Sequence, residues 1–291
     1  MQKKLLFSCA VISLSGLLLL SGCSRQSQQA NSIQIKGSDT MVNLGQAWAE
    51  EFMKLNPKVS VAVTGGGSGT GIAALLSNTC EIAELSRELK SEEIEMAKQK
   101  GFQPKQIVVA LDGLAVVVHP ANPLSQLTMD QLAAIFSGSV SNWKDFGGSD
   151  LPIVVLSREV NSGTHVYFKE HVLRRNQKDS QVEFAPTALM LPSSQALADE
   201  VAQNPGAIGY FGMGYISAKE KALAIAKDAD SPYIEPTIEN VVSNAYPISR
   251  PLLMVTRGEP KGLVARFLDF VLSPEGQQIV VKIDFVPVKS N

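Results

Sequence analysis

Cysteine, histidine and aromatic residues are scarce in this sequence of 291 residues, which has three cysteines, three histidines and 6% aromatics. Metal clusters and disulfide frameworks need several cysteines or histidines at short spacings, whereas Cys9, Cys23 and Cys80 lie far apart. Basic residues are not in excess either, because 26 Lys and Arg stand against 28 Asp and Glu. A nucleic-acid backbone attracts a basic surface. We therefore expect no metal, no cofactor and no nucleic-acid partner.

The amino terminus resembles the signal of a bacterial lipoprotein. Lys3 and Lys4 precede an apolar run that ends in small residues before Cys23. This pattern predicts a cleaved signal at 1–22, a lipid on Cys23 that anchors the chain to a membrane outside the cytoplasm, and a flexible polar tether at 23–32. The alternative is an uncleaved membrane-spanning anchor, but the apolar run is short for the ~20 residues that a span needs. Without the two lysines, 24 basic residues stand against 28 acidic ones, a formal charge of −4.

Short strands alternate with amphipathic helices along the rest of the chain. The alternating segments Ile33–Ile35 and Val59–Val63 predict strands, and apolar residues at steps of three and four predict a helix over Met41–Leu55. The apolar stretch Ile107–His119 indicates two strands or one long crossing strand. Hydrophobic residues make up 45% and charged residues 19%, which is typical of globular proteins. The alternation predicts an α/β fold.

Three turns rich in Gly, Ser and Thr each follow a strand and open a helix: Gly37–Thr40, Gly65–Gly71 and Asn161–Thr164. Such a turn offers unpaired backbone N–H groups, a positive helix end and hydroxyl donors, although each turn alone is explained by ordinary helix capping. Arg158 precedes the third turn and can grip two oxygens of one oxyanion. Together they favour a shared anion site. His165 follows the third turn, where we expect a solvated or capping side chain.

Catalytic motifs in the sequence are incomplete. Gly65–Gly71 lacks the lysine that a nucleotide-binding phosphate loop requires. Ser68 lacks the second glycine of a nucleophile elbow, because Thr70 stands there. Ser141 and Lys144 form an S-x-x-K pattern without a supporting motif. We therefore expect no enzyme activity, and a secreted hydrolase that uses Ser68 or Ser141 is the less favoured alternative.

Five stretches of the sequence resemble one family in the same order along the chain. They are GSDTM (37–41), TGGGSGTGI (64–72), IFSGSVSNWKDFGG (135–148), SREVNSGTHVYF (157–168) and NPGAIGYFGMGYI (204–216). On these motifs the chain resembles the phosphate-binding proteins of bacterial ABC phosphate importers, the PstS-like group of type II periplasmic binding proteins. The resemblance covers essentially the whole chain after the signal.

The resemblance implies an α/β fold of two lobes joined by two crossing strands. The first lobe would comprise 33–111 and a return segment, 246–291, and the second lobe 112–245. The hinges are expected near Leu111–Gly113 and Ser243–Pro247. The implied function is that of a monomeric, lipid-anchored binding protein, which captures inorganic phosphate between its lobes and delivers it to the membrane subunits of an ABC permease.

The resemblance also implies which residues bind phosphate. The first two loops and the strand that follows them would contribute hydroxyl and amide donors, and the second lobe an arginine and an S-G-T donor set. The predicted site residues are Ser38, Asp39, Thr40, Met41, Ser68, Ser86, Arg87, Arg158, Ser162, Gly163 and Thr164.

One position departs from the family pattern. Well-known members carry an aspartate after the serine that matches Ser86, and this carboxylate accepts the ligand's proton and so distinguishes phosphate from sulfate. Here Arg87 stands at that place, where a second cation could face the ligand. Our hypothesis is that Asp39 accepts the proton instead, and the alternative is that Asp39 caps a helix. A site for sulfate, molybdate or a phosphonate stays open, as does an adhesion or signalling role on the same fold.

Overall fold

The computed structural model describes residues 31–288 of the chain. The predicted signal and the lipid-bearing Cys23 lie outside the described residues. Ser32, assigned above to the tether, is the first residue of a strand and pairs with Ser60. Among residues 31–288, no helix combines the length and the hydropathy that a membrane span requires.

The strands of the described chain are numbered in sequence order. They are β1 (Ser32–Gly37), β2 (Ser60–Thr64), β3 (Ile82–Leu85), β4 (Lys105–Val118), β5 (Gln126–Thr128), β6 (Val154–Arg158), β7 (Leu189–Leu191), β8 (Ala207–Gly212), β9 (Lys221–Ala222), β10 (Ala224–Ala226), β11 (Ser249–Thr256) and β12 (Val286–Pro287).

The α-helices are numbered in the same way, and short 3₁₀ turns cover Asp39–Met41, Trp143–Phe146 and Met213–Tyr215. The helices are α1 (Val42–Leu55), α2 (Ser68–Leu76), α3 (Ser91–Gln99), α4 (Met129–Phe136), α5 (Gly163–Phe168), which continues as a π-helical turn over Lys169–Leu173, α6 (Ser194–Gln203), α7 (Ile238–Val242), α8 (Gly262–Leu272) and α9 (Pro274–Lys282).

One continuous path of hydrogen-bonded strands runs through both lobes in the order β2-β1-β3-β11-β4-β8-β6-β7. The strands β2, β1 and β3 are parallel in the first lobe, and β8, β6 and β7 are parallel in the second. Parallel strands place their carboxyl ends at one edge of a sheet, where ligands of open α/β sheets bind. The three predicted turns follow β1, β2 and β6 at these edges.

The long strand β4 carries the chain from one lobe to the other. It pairs with β11 over Lys105–Gly113 and with β8 over Leu114–Val118. Of the two alternatives for this stretch, the single crossing strand is therefore right. The amide of Leu114 also donates to the Ile248 carbonyl at 2.8 Å, so the segment that enters β11 lies directly beside the crossing point. Both expected hinge segments reach this place.

The predicted amphipathic helix packs on the first-lobe sheet as α1. Leu44, Trp48 and Phe52 are buried, and the Trp48 ring nitrogen donates to the carbonyl of Gly276 at 2.8 Å. In β1, Ile33 and Ile35 are fully buried on alternate positions. Because both elements meet on these apolar faces, the turn between them is held rigidly at the edge of the sheet.

A cluster of aromatic rings supports the second lobe. Phe168 stacks on Tyr210 with ring centroids 3.8 Å apart, and Phe136 packs edge-on against both. The Tyr210 hydroxyl lies 2.7 Å from Ser157 Oγ, next to Arg158. Each such ring pair is worth about 0.5–1.5 kcal/mol beyond its buried area. The cluster thereby fixes β6, β8 and α5 relative to one another.

Candidate functional site

The first and third turns meet across the two lobes through two threonine hydroxyls. Thr40 Oγ1 and Thr164 Oγ1 lie 2.9 Å apart, although 124 residues separate them in the chain, and both side chains are buried. Thr40 belongs to the 3₁₀ turn after β1, and Thr164 lies in the first turn of α5. Two hydroxyls at this spacing form one polar centre between the lobes.

Three buried serines extend this centre within the first lobe. Ser38 Oγ donates to Ser86 Oγ at 2.9 Å, and Ser68 Oγ accepts from the Ser86 amide at 3.1 Å. Their loops follow β1, β2 and β3, so the parallel sheet places all three hydroxyls at one edge. Gly163 of the second lobe packs directly against them, because a β-carbon there would overlap Ser68 Oγ and lie 2.7 Å from Ser86 Oγ.

Two further predicted site residues, Ser162 and Met41, form hydrogen bonds within their own turns. Ser162 is the N-cap of α5, and its Oγ accepts from the amides of Thr164 at 3.2 Å and His165 at 3.4 Å. The Met41 amide donates to the Ser38 carbonyl at 3.0 Å, and the Met41 side chain is buried in the core. These bonds give the two loops a fixed shape.

Arg158 reaches the site from the end of β6 and is 1% exposed. Its Nη1 donates to Ser194 Oγ at 3.0 Å and its Nη2 to the carbonyl of Pro192 at 2.9 Å. Nη2 also donates to Asp39 Oδ2 at 2.7 Å, a salt bridge between the lobes. Burial lowers the pKa of Arg158, and the Asp39 carboxylate opposes that effect.

Asp39 does not cap a helix, which was one of its two expected roles. Its Oδ1 accepts from the Gly66 amide at 2.9 Å, and its Oδ2 accepts from Arg158. Its backbone carbonyl accepts from the Tyr215 hydroxyl at 2.7 Å. Asp39 therefore ties its own turn to the second turn and to the second lobe.

Arg87 is directed toward Glu93 and not toward the hydroxyl cluster, which comprises Ser38, Thr40, Ser68, Ser86 and Thr164. Its Nη1 and Nη2 donate to the two carboxylate oxygens of Glu93 at 2.9 and 2.7 Å. Burial alone would raise the pKa of Glu93, but hydrogen bonds from Arg87 and from the Lys90 amide lower it. Arg87 lines a cleft of about 780 Å³ whose lining includes Arg250 but none of the serines and threonines of the hydroxyl cluster. The structure therefore does not support the expectation that Arg87 faces the ligand, because the nearby Glu93 at the start of α3 engages it.

An ion pair that sequence reasoning missed lies under the hydroxyl cluster. Arg250 donates through Nε and Nη2 to Asp112 Oδ2 at 3.0 and 2.8 Å, and both side chains are almost completely buried. Arg250 Nη1 also donates to the Ser86 carbonyl at 3.1 Å, and Nη2 lies 3.4 Å from Thr40 Oγ1. A signal was present, because each residue is a lone charge inside an apolar strand, and such charges are buried only when paired.

Further contacts across the lobes show that the two lobes are closed on each other. Asn161 Nδ2 donates to the Gly66 carbonyl at 2.8 Å, and the Gly69 amide donates to the Asn161 carbonyl at 2.9 Å. Gly67 has a φ of 90°, and a β-carbon there would lie 2.7 Å from the Asn161 carbonyl oxygen. The second turn needs glycine at this position because the opposite loop comes so close.

His165 belongs to the core of the second lobe, so the expectation of a solvated or capping side chain is wrong. It is 3% exposed and lies against Phe184 with ring centroids 4.7 Å apart. Its Nδ1 is 3.3 Å from Ser157 Oγ. Burial lowers its pKa to about 4. The aromatic packing accounts for this histidine, since β6 and α5 turn it away from Thr164.

The resulting arrangement suits a small oxyanion. The hydroxyls and the start of α5 meet at one buried point next to the Asp39–Arg158 salt bridge, and dehydrating an anion is costly unless its oxygens find such donors. Arg158 and Arg250 are each paired with an aspartate and Arg87 with a glutamate, so this acidic protein offers an anion local dipoles rather than net positive charge. Within residues 31–288, no three Cys, His, Asp or Glu side chains are grouped so that they could hold a metal ion.

Comparison with known proteins identifies the family. A model described as "PBP superfamily domain" matches residues 24–275. The phosphate-binding protein PstS of Pseudomonas aeruginosa is 36% identical over 269 residues, which cover 87% of this chain and 81% of that protein. The chain belongs to the PstS-like proteins of the PBP superfamily.

Solved structures of PstS-like proteins share the fold. A putative phosphate ABC transporter substrate-binding protein from Clostridium perfringens, solved with bound phosphate, is 36% identical, with a TM-score of 0.79 over 89% of this chain and 100% of that one. An ABC-type phosphate transport receptor from Vibrio cholerae is 31% identical, with a TM-score of 0.70 over 88% of this chain and 100% of that one. The predicted two-lobed α/β fold is confirmed.

Proposed function

We propose that this chain is an extracytoplasmic solute-binding protein that captures inorganic phosphate between its lobes and delivers it to an ABC permease. The observation that carries this proposal is the closed polar centre in which Thr40 meets Thr164 while Arg158 reaches Asp39 across the lobes. The names of the relatives from P. aeruginosa, C. perfringens and V. cholerae support phosphate as the ligand.

The residues that we propose to bind phosphate are those that both lobes place around this centre. They are Ser38, Thr40, Ser68, Ser86, Arg158, Ser162, Gly163 and Thr164. Because neither lobe holds the full donor set, the ligand favours the closed form in which the set is complete. We further propose that residues 33–111 and 246–291 form one lobe and residues 112–245 form the other. The two lobes would hinge where β4 and the segment before β11 cross.

The hydrogen bonds of the serines fit a protein that binds its ligand without converting it. The family is one of solute-binding proteins. Ser68, one of the two candidate nucleophiles, accepts a hydrogen bond from the Ser86 amide and lies against Gly163. The nearby histidine, His165, is engaged with Ser157 and Phe184 instead. These contacts support a binding protein over a serine hydrolase, which would need a base beside its nucleophile.

We also propose that a lipid on Cys23 tethers the protein to the outer side of a membrane, near its permease. The sequence pattern at 1–23 supports this anchor. Labelling growing cells with a radioactive fatty acid tests it, because the label should follow the protein and disappear when Cys23 is replaced by serine. A protein that stays unlabelled would contradict the anchor without touching the phosphate site.

Isothermal titration of the purified protein tests the proposed ligand. We expect saturable heat with phosphate at neutral pH, one site per chain and much weaker binding of sulfate, molybdate and a phosphonate. Binding of one of the other oxyanions in preference to phosphate would reassign the ligand within the same site. No heat with phosphate would reject the proposed function.

Asp39 stays our candidate for the group that accepts the ligand's proton. A carboxylate can accept a hydrogen bond from protonated phosphate but repels fully ionised sulfate. In Asp39→Asn, the ratio of the sulfate Kd to the phosphate Kd should therefore fall about tenfold or more. Titration of both anions measures this. Asp130→Asn, which breaks an exposed pair with Arg175, is the control. An unchanged ratio in Asp39→Asn would contradict the acceptor role.

A further inference from the structure

Arg250 and Asp112 face each other on the two strands that join the lobes. They are register partners in the antiparallel pair of β11 and β4. Asp112 is the residue before Gly113, after which β4 leaves β11 and pairs with β8. The ion pair therefore lies at the crossing point itself, with both side chains out of contact with solvent.

The pair contacts both lobes. Asp112 Oδ1 accepts from the amide of Met213, in the 3₁₀ turn that follows β8 of the second lobe, at 3.1 Å. Arg250 Nη1 donates to the Ser86 carbonyl of the first lobe at 3.1 Å. A β-carbon on Gly212 would lie 2.8 Å from Thr40 Cγ2 and 2.9 Å from Asp112 Oδ2. The ion pair is thus packed directly against the threonine of the first loop.

Arg250 also decides the direction of one hydrogen bond in the site. A guanidinium has donors and no acceptor, so Thr40 Oγ1 must accept at its 3.4 Å contact with Arg250 Nη2. The hydroxyl hydrogen of Thr40 then points elsewhere, toward Thr164 Oγ1 or toward a ligand oxygen at that place. A Thr40 hydroxyl that accepts from Arg250 keeps its hydrogen for another acceptor, which is what an oxyanion offers.

From this geometry we infer that Arg250 is a second cationic group of the oxyanion site, in the role that the sequence suggested for Arg87, and that Asp112 positions it. The inference rests on the proposed function, because it assigns a residue to that same site. Arg87 is held by Glu93 away from the cluster, whereas Arg250 contacts Thr40 and Ser86, two of the proposed ligand donors. The site then has one arginine from each side, Arg158 and Arg250.

The test separates a charge that acts on the ligand from a residue that only supports the fold. The variant Arg250→Gln leaves Asp112 buried without its partner, which destabilises the fold, so the double variant Arg250→Gln/Asp112→Asn is made beside it to remove both charges. Arg257→Gln is the matched control, since Arg257 follows β11 but donates to the Leu75 carbonyl and lies over Phe102. Thermal midpoints without ligand show which variants are folded.

Titration with inorganic phosphate is done in buffers below and above its second ionisation, always beside the wild-type protein. We expect the double variant to lose affinity about 10- to 100-fold, the range of a hydrogen bond to a charged group. The loss should be several times larger for the dianion, because the guanidinium that contacts Thr40 and Ser86 is the nearer of the two removed charges, and its loss costs more against two negative charges.

The outcomes distinguish this inference from the proposed function. Wild-type protein that binds no phosphate overturns the proposed function and the inference with it. Wild-type protein that binds, with a folded double variant that binds equally well, overturns the inference alone. A loss of the same factor for both ionic forms of phosphate also overturns it, because a purely structural role would not depend on the charge of the ligand.

Discussion

At the scale of single residues, the paired charges where the lobes meet contrast with one buried carboxyl group. Arg158, Asp112 and Arg250 are each paired and hydrogen-bonded, as buried charges must be. Glu84 in β3 is fully buried, and neither of its carboxylate oxygens has a partner among residues 31–288. It lies against α1 at Gly45, where a β-carbon would overlap its Oε1. Burial raises the pKa of Glu84 well above its usual range.

We predict that Glu84→Met stabilises the protein by about 1–3 kcal/mol near neutral pH, because it replaces an unpartnered polar group by an apolar one of similar size. A folded-state pKa above the unfolded one makes the native state bind more protons, so the stability of the wild type falls as pH rises from the ordinary glutamate range toward the raised pKa. Denaturant unfolding across pH measures both effects.

In Glu84→Met this part of the pH dependence should disappear. Glu92→Met, at a mostly exposed position of α3, is the control and should leave the slope of stability against pH unchanged. A variant at position 84 that is less stable than the wild type at every pH would show that Glu84 has a partner or a role in the folded protein after all.

At the scale of the elements, the site consists of strand ends and helix starts that belong to different lobes. Gly163 begins α5, and its backbone lies against the Ser68 and Ser86 hydroxyls of the first lobe. Its φ is not in the left-handed region, so alanine is acceptable to the backbone itself. The only obstacle to a side chain there is the opposite lobe.

We therefore predict that Gly163→Ala weakens phosphate binding about 5- to 150-fold, since overpacking of a tight contact costs about 1–3 kcal/mol. The added methyl group would keep the lobes from closing fully, while the ligand-free protein, in which we expect the lobes to separate, should keep its thermal midpoint within about 2 °C. Titration calorimetry and a thermal scan check the two statements. Wild-type affinity in a folded Gly163→Ala protein would show that the lobes need not come this close.

The element boundaries were largely predictable from local pattern. The alternation at Ile33–Ile35 and Val59–Val63 and the helical stripe from Met41 to Leu55 lie within one or two residues of β1, β2 and α1. The structure of the stretch Ile107–His119 was not predictable in this way, because a strand buried on both faces has no alternation of apolar and polar residues to show where its partner strand changes. Only the pairing of β4 with β11 and then β8 decided that it is one strand.

At the scale of the whole molecule, both lobes share one sheet. The strand β4 is 14 residues long and is hydrogen-bonded to strands of both lobes. Its neighbour β11 pairs with β4 on one side and with β3 on the other. Neither lobe can lose this strand without exposing the core of the other. The protein should therefore unfold as one unit.

We predict a single calorimetric unfolding transition that phosphate shifts to higher temperature as a whole. At a free phosphate concentration about 100 times Kd, the stabilisation should be about 2.7 kcal/mol. Sulfate at the same ionic strength is the control and should shift the transition far less. Two transitions, of which phosphate shifts only one, would contradict a shared unfolding unit and show that one lobe alone holds the ligand.

The sequence by itself determined the α/β class and the place of the three Gly/Ser/Thr-rich turns, and it singled out Thr40, Ser68, Arg158 and Thr164 as candidate donors, because turn chemistry and helix starts are local properties of the chain. It could not determine which arginine joins them. Arg87 stands next to Ser86 in the chain, yet Glu93 holds it away, whereas Arg250 arrives from 164 residues further on and contacts the Ser86 carbonyl. That choice was made by the tertiary structure, since the pairing of buried charges depends on strand register across the crossing point, which no local pattern contains.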